Sequence, residues 1–287
     1  MIDESKAESL FKNKDIKLIA LDLDGTTLTR NGLTRRTKET LEEAIRRGIH
    51  VVIATGRPYV ALPQEVLEIK GLEYIAISNG GHVVDPECNF IYSNCASKDA
   101  MLEVREIMKE TGYPVEVFTG GCAYVDQRLY DDLKENGSTY MGARYILRTR
   151  KPVEDIYDFW LQHSGEIENI NTHYESLEVR ASMWKRFEEI PGITVTSSQR
   201  NNIELVGETT SKANALRHLT QMLSLDMDQI VAFGDSLNDL DMLQAAGISV
   251  AMGNADEELK KRADFICPTN EEEGVCYTIR KYIFEKL

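Results

Sequence analysis

Lys17–Leu21 reads KLIAL and runs directly into Asp22-Leu23-Asp24-Gly25-Thr26. A short apolar run that stops on acids and a glycine has the profile of a strand buried on both faces of a parallel sheet. Downstream, Leu41, Ala44 and Ile45 recur at helical spacing, and Gly48 closes that helix. His50–Ala54 (HVVIA) predicts a second strand, ending at Thr55-Gly56-Arg57-Pro58. Tyr74–Ser78 (YIAIS) predicts a third, ending at Asn79-Gly80-Gly81. Strands separated by helix-length segments indicate crossover units and a parallel sheet.

The far end repeats this rhythm. A helix carries Ala215, Leu216, Leu219, Met222 and Leu223 on one face, and strand Gln229–Phe233 follows with Gly234-Asp235-Ser236 at its end. A second helix, a strand over Ile248–Met252 and a short strand near Phe265 complete it. The middle differs. Val115–Phe118 and Cys122–Val125 flank Thr119-Gly120-Gly121 as a hairpin would. Polar helices surround it, one with Met101, Val104, Ile107 and Met108 on a stripe, another with Ile156, Phe159 and Trp160. The expected fold is α/β, a doubly wound, mostly parallel sheet (a Rossmann-like core) interrupted by an α+β domain. The expected boundaries are 1–84 and 198–287 for the core and 85–197 for the insert, with no internal repeat.

Composition narrows the function. Against 33 Lys+Arg stand 47 Asp+Glu, a net charge of −14, over 287 residues of which 42% are hydrophobic. That balance is globular, and it opposes nonspecific nucleic-acid binding, which needs clustered Lys and Arg. No apolar run approaches the roughly 18–20 residues that span a bilayer. Met1–Lys6 lacks the basic and apolar regions of a signal peptide. Five widely spaced cysteines (Cys88, Cys95, Cys122, Cys267, Cys276) with no C-x-x-C pair suit a reducing compartment, not a disulfide framework or zinc site. A cytoplasmic location is expected, and Asn136-Gly137-Ser138 reads as a turn instead of a glycosylation site. Oligomeric state is not legible.

In open parallel sheets ligands collect at the carboxyl ends of strands. There this chain offers Asp22-Leu23-Asp24-Gly25-Thr26, Thr55-Gly56-Arg57, Asn79 and Gly234-Asp235-Ser236-Leu237-Asn238-Asp239, with Lys212 opening the helix before the last of these. Two carboxylates 4 Å apart repel by about 4 kcal/mol at an effective dielectric of about 20. Four of them require cations: Lys212, and a hard divalent ion held by oxygen ligands, Mg²⁺ above all. A carboxylate beside such an ion can attack phosphorus, and a second two residues away can shuttle the proton. Metal and ammonium offset charge on the transferring group, and a Thr hydroxyl with glycine N–H groups suits phosphate oxygens.

These motifs in this order resemble the haloacid dehalogenase-like hydrolases, specifically Cof-type phosphatases with an α+β cap inserted between the second and third motifs. Asp22-Leu23-Asp24-Gly25-Thr26 is similar to the first motif, Ile53-Ala54-Thr55-Gly56-Arg57 to the second, Ser211-Lys212 to the third and Gly234–Asp239 to the fourth. Ala251-Met252-Gly253-Asn254-Ala255 and Glu273-Gly274-Val275 are also similar to the subfamily. The resemblance implies that Asp22 is nucleophile and Mg²⁺ ligand, and that Asp24 is general acid/base with its carbonyl on the metal. It implies Asp235 as a further ligand, with Asp239 supporting the metal or orienting Lys212. Thr55, Gly56, Lys212, Asn238 and the Leu23 N–H would hold the phosphate. Asp24 argues against dehalogenases, which lack that acid, and against P-type ATPases, which carry Thr there. One departure is Thr210-Ser211-Lys212-Ala213, where the family often has glycine beside the lysine.

Each piece alone has an ordinary reading. Asp-x-Asp after a strand is commonly an N-cap or turn, Thr55-Gly56-Arg57-Pro58 a strand-to-helix turn, and Lys212 a solvated lysine. Arg57 either steers an anionic substrate or pairs with an acid. His82, His163 and His173 lack ligand spacing; Tyr113, Tyr124 and Phe118 read as small-domain core, and Glu271-Glu272-Glu273 as a solvated helix start. No G-x-x-x-x-G-K-[ST] or G-x-G-x-x-G string occurs. The combination leads to a Mg²⁺-dependent phosphatase of a small phosphorylated metabolite (sugar phosphate, pyridoxal phosphate or flavin mononucleotide type) through an aspartyl-phosphate. The alternatives are a phosphosugar mutase and a non-catalytic phospho-ligand binding protein.

Overall fold

The KLIAL run becomes strand β1 (Leu18–Leu21) with all four residues buried, as an apolar segment flanked by neighbours on both sides must be. The computed structural model describes residues 4–12, 14–136 and 143–286. Gly137 and Ser138 of the expected turn, and Met1–Asp3, lie outside them. After β1 come β2 (His50–Ala54), β3 (Tyr74–Ile77), β4 (His82–Val84) and β5 (Phe90–Ser93). The middle of the chain supplies β6 (Val115–Thr119), β7 (Cys122–Asp126), β8 (Lys151–Val153), β9 (Ile167–His173), β10 (Ile193–Thr196) and β11 (Asn202–Gly207). The last three are β12 (Ile230–Gly234), β13 (Ile248–Ala251) and β14 (Phe265–Ile266).

Two units divide the chain. Met1–Gly56, Leu62–Tyr92 and Ser211–Leu287 form the first; Ser93–Thr210 with Arg57–Ala61 forms the second. The first holds an eight-stranded sheet in the order β14-β13-β12-β1-β2-β3-β4-β5. From β14 to β3 neighbouring strands are parallel, and β4 runs antiparallel to β3. Successive strands step one way from β1 to β3 and the other way from β12 to β14. Right-handed crossovers then place helices on opposite faces, the doubly wound arrangement. The strand order reverses between β1 and β12.

Local signals act as expected, with adjustments. The Arg35–Arg46 helix is capped by Thr34, whose side chain accepts the Thr37 N–H at 3.1 Å, and buries Leu41 and Ala44. Gly48 follows at φ +81°, the conformation that ends such a helix cheaply. The Lys212–Leu223 helix buries Ala215, Leu216 and Leu219, but Met222, about 60° round from Leu219 at 100° per residue, is 45% exposed. The third strand stops at Ile77, because Ser78 and Asn79 turn to φ +49° and +57°. Asn270–Glu272 is a single 3₁₀ turn, after which Glu273 sits at φ +56°. The expected solvated Glu run is therefore partly engaged: Glu271 accepts the Arg30 N–H and Glu273 the Thr34 hydroxyl.

The second unit holds a six-stranded sheet, order β10-β11-β9-β6-β7-β8, antiparallel except for β7 and β8. The β6–β7 hairpin turns at Gly120 and Gly121, both at positive φ. The main segment of this unit runs from Ser93 to Thr210, against the expected 85–197, since most of β5 lies in the first sheet while β11 pairs with β9 in the second. Met101, Val104 and Met108 pack with Ile156 and the fully buried Trp160 in its core, with Tyr113 and Tyr124 against them. Phe118 is buried as well, with the Arg150 guanidinium 5.1 Å from its ring centre. Among the described residues, no helix is long and apolar enough to cross a membrane. The cysteines form no disulfide.

Both tryptophans, Trp160 and Trp184, lie in the second unit. Trp160→Ala should therefore cost about 3–5 kcal/mol, read as an earlier denaturant midpoint of Trp184 fluorescence. A change below about 1 kcal/mol, a third of the lower end of that range, would contradict the packing described.

Candidate active site

Register alone brings the first and fourth motifs together. Leu21 lies opposite Phe233 in the parallel β1–β12 pair, and the Asp22 N–H donates to the Phe233 carbonyl at 3.1 Å. Asp22 thus leaves β1 beside Gly234-Asp235 leaving β12, at the point where strand order reverses. The chain after Asp22 winds tightly, with the Leu23 carbonyl accepting the N–H groups of Thr26, Thr27 and Leu28. Gly25 is required there: at φ +77°, a Cβ would stand 2.4 Å from Asp235 Oδ2. The Thr26 hydroxyl donates to Asp235 Oδ1 at 2.8 Å and the Ser236 hydroxyl to Oδ2 at 3.1 Å.

Lys212 joins from a distant part of the chain. Ser211 caps its helix by accepting the Asn214 N–H at 3.1 Å. Lys212 is then the first helical residue, where the helix dipole disfavours a cation. It is wholly buried, and its Nζ donates to Asp22 Oδ1 and Asp239 Oδ1, each at 2.6 Å. Gly80 lets the Ser211 backbone in. At φ +90° its Cβ would stand 2.3 Å from the Ser211 carbonyl oxygen.

Asp239 has both oxygens engaged, Oδ1 by Lys212 and Oδ2 by the N–H groups of Asp235 and Ser236 at 2.9 and 3.0 Å. It orients the lysine and shapes the loop. Asn238 donates to Asn79 Oδ1 at 2.9 Å, linking the fourth motif to the end of β3. Thr55, 1% exposed, bonds through its N–H to Ala76 and through its carbonyl to the Asn79 N–H.

One carboxylate oxygen each from Asp22, Asp235 and Asp239 lies within 4.8 Å of the others. Burial, then repulsion from the neighbouring acids, pushes the Asp22 carboxyl well above its ordinary range despite Lys212. Burial and Asp239 push Asp235 up to about 7. Lys212 is raised although burial opposes its charge, because Asp22 and Asp239 together outweigh burial. Three carboxylates against one ammonium leave two negative charges, the complement of one dication. Oxygen donors alone, at this spacing, fit a hard divalent metal. Asp24 is exposed and its carboxyl lies outside that group of three.

Of the residues named from the sequence, Asp22, Leu23, Asp24, Thr55, Gly56, Lys212, Asp235, Asn238 and Asp239 all fall in the first unit. Arg57 falls in the second, where its Nη1 donates to the Ala61 carbonyl at 2.8 Å and its guanidinium lies 5.3 Å from the Tyr145 ring centre. His82 packs edge-on against Phe90, His163 lies by Glu166, and His173 lies 3.7 Å from Glu116, so none joins the acidic group. Sequence reading passed over Thr26, Gly80 and Ser236 as site residues. Their position next to named motifs and strand ends was the available signal.

Two outcomes follow from this geometry. Gly80→Ala should destabilise by about 1–3 kcal/mol from its backbone conformation alone and displace Lys212. An unchanged melting temperature would refute the close approach. In EDTA-treated protein, the folded state keeps a proton on Asp235 between pH 3.8 and about 7 that the unfolded state has lost. Stability from this group therefore falls as pH rises through that window and levels off above it. Urea denaturation from pH 4 to 8 should show the decline, and Asp235→Asn should lessen it, the remainder coming from the raised Asp22 carboxyl.

Comparison with known proteins agrees with this geometry. A family described as haloacid dehalogenase-like hydrolase matches residues 19–279. Phosphatase YwpJ of Bacillus subtilis (strain 168) is 31% identical over 293 residues, spanning 92% of this chain and 99% of its own. The 5-amino-6-(5-phospho-D-ribitylamino)uracil phosphatase YcsE of the same organism is 30% identical over 273 residues, spanning 94% and 96%. A solved haloacid dehalogenase-like hydrolase from B. subtilis has a TM-score of 0.80 at 30% identity, covering 93% of this chain and 99% of that one. The chain belongs to the haloacid dehalogenase-like hydrolase family and is an enzyme of its phosphatase branch.

Proposed function

We propose that this chain is a Mg²⁺-dependent phosphatase that hydrolyses a small phosphorylated metabolite through a phosphoryl group carried on Asp22. The observation that supports it most is the acidic group at the β1–β12 switch point, two charges short of neutrality after Lys212 is counted. Asp22 and Asp235, with the Asp24 carbonyl, would hold the metal. When bound it supplies positive charge against the phosphate oxygens and keeps Asp22 ionised.

The remaining steps belong to the chain. Asp22 attacks phosphorus with one carboxylate oxygen while Lys212 holds the other. As the bond from phosphorus to the leaving oxygen breaks, Asp24 gives that oxygen its proton. Water then attacks the phosphorus, Asp24 takes its proton, the Asp22–phosphorus bond breaks and inorganic phosphate leaves. The Thr55 hydroxyl, Gly56, the Leu23 N–H and Asn238 receive the phosphate oxygens. Arg57 is assigned to steering the anionic substrate. YcsE is named for a phosphorylated ribityl-pyrimidine, which favours a sugar-phosphate or flavin-type substrate here.

Asp22→Asn should lower turnover of an aryl phosphate by roughly 10⁴-fold or more, and Asp24→Asn by about 10²–10⁴-fold, with both proteins folded. Near-normal turnover in the first variant refutes the nucleophile. Phosphate release from a panel of phosphorylated metabolites should require Mg²⁺ and stop with EDTA. Isomerised sugar phosphate without phosphate release would instead identify a mutase.

A further inference from the structure

The Asn254 and Glu273 segments resemble the family, yet the chemistry above gives them no task. The structure places Asn254, and Asn270 three residues before Glu273, against the loop that carries Asp24. Leu23 gathers three N–H groups inside the 23–28 turn, and the carbonyls of Gly25 and Leu28 accept bonds from side chains outside it. Asn254 Nδ2 donates to the Gly25 carbonyl at 2.8 Å, and Asn270 Nδ2 to the Leu28 carbonyl at 2.8 Å. The two asparagines are themselves joined, since Asn254 Oδ1 accepts the Asn270 N–H at 3.0 Å. This fixes the orientation of the Asn254 amide, because its oxygen must face the N–H and its nitrogen the carbonyl.

The segment bearing Asn254 is anchored to the metal-side loop. The Met252 N–H donates to Gly234 and the Asp256 N–H to the Asp235 carbonyl, at 3.0 and 2.9 Å. Asn254 therefore braces the Gly25 peptide against the same backbone that positions Asp235. Gly25, at φ +77° with no side chain to restrain it, is the residue about which an unbraced loop would swing. Asp24 is exposed and immediately precedes it.

We propose that Asn254 and Asn270 are positioning residues that hold the 24–28 loop so that the Asp24 carboxyl meets the leaving oxygen. The inference rests on the phosphatase reading above, in which Asp24 protonates that oxygen. A misplaced acid matters most where the leaving group is a poor one. An alkoxide needs its proton as the bond breaks, whereas a 4-nitrophenolate leaves without it.

The test is kcat/KM, which reports phosphoryl transfer to Asp22, measured over substituted phenyl phosphates and an alkyl phosphate of rising leaving-group pKa. Asn254→Ala and Asn270→Ala should each lose about 10- to 100-fold on the alkyl phosphate but only a few-fold on 4-nitrophenyl phosphate. The plot against leaving-group pKa should steepen in both, and steepen no further when either change is added to Asp24→Asn. An equal loss on every ester, with unchanged slope, would show general damage and overturn the clamp while leaving the phosphatase reading intact. Absence of phosphate release from every ester by the unsubstituted protein would overturn the reading and the clamp together.

Discussion

The ammonium of Lys212, buried and held between Asp22 and Asp239, is the interaction on which the rest of the first unit depends. Taking a charge out of water costs several kcal/mol, and the start of a helix is an unfavourable place for a cation. Only two carboxylates within hydrogen-bonding distance make the arrangement tenable. Those three residues come from the end of β1, the start of the Lys212–Leu223 helix and the 3₁₀ turn Leu237–Asp239 after β12, so a single cation ties three motifs into one site. Removing any of the three leaves the others as buried, underpaired charge. Such pairs add little net stability beside an apolar replacement; here the gain is that the Asp22 carboxyl is held in one orientation.

The carboxylates divide the work by what their oxygens touch. Asp239 serves the protein, one oxygen on Lys212 and the other on two backbone N–H groups. Asp235 takes hydroxyls of Thr26 and Ser236 and lies next to Gly25, so its position depends on the first motif as much as on its own strand. Gly234 allows Asp239 to curl back, since a Cβ there would stand 2.5 Å from the Asp239 Cβ. What remains is a compact set of oxygens more acidic than the chain alone can balance, beside an exposed acid, Asp24, whose carboxyl lies outside the set. Neighbouring carboxyls with such different surroundings are suited to different tasks.

The glycines and asparagines around this centre act through geometry, not charge. Gly25 and Gly80 each permit a close approach at positive φ, one between the two acidic loops and the other beneath Lys212. Asn79, also at positive φ, receives Asn238 and donates its own N–H to Thr55, joining the ends of β2 and β3 to the fourth motif. Asn254 and Asn270 close the outer side of the first loop. The Glu run near the C-terminus, which composition suggests is only solvated, continues that outer contact through Glu271 on Arg30 and Glu273 on Thr34.

By itself the amino-acid sequence determined the parallel strands of the first sheet, the β6–β7 hairpin, several helices and which residues stand at strand ends, but not β4, β5 or β8–β11. Those follow from local periodicity and from turn residues, which act over a few positions. It also marked Asp22, Asp24, Lys212, Asp235 and Asp239, because acids in that number at strand ends demand a counter-charge wherever the strands lie. Tertiary structure alone decided that Asp239 is spent on Lys212 and the loop, that Gly80 admits Ser211, that Met222 faces outward and that two asparagines brace the first loop. Each of these depends on parallel register and crossover direction between segments up to 240 residues or so apart in the chain. No local pattern encodes such a pairing; it exists only once the sheet has closed.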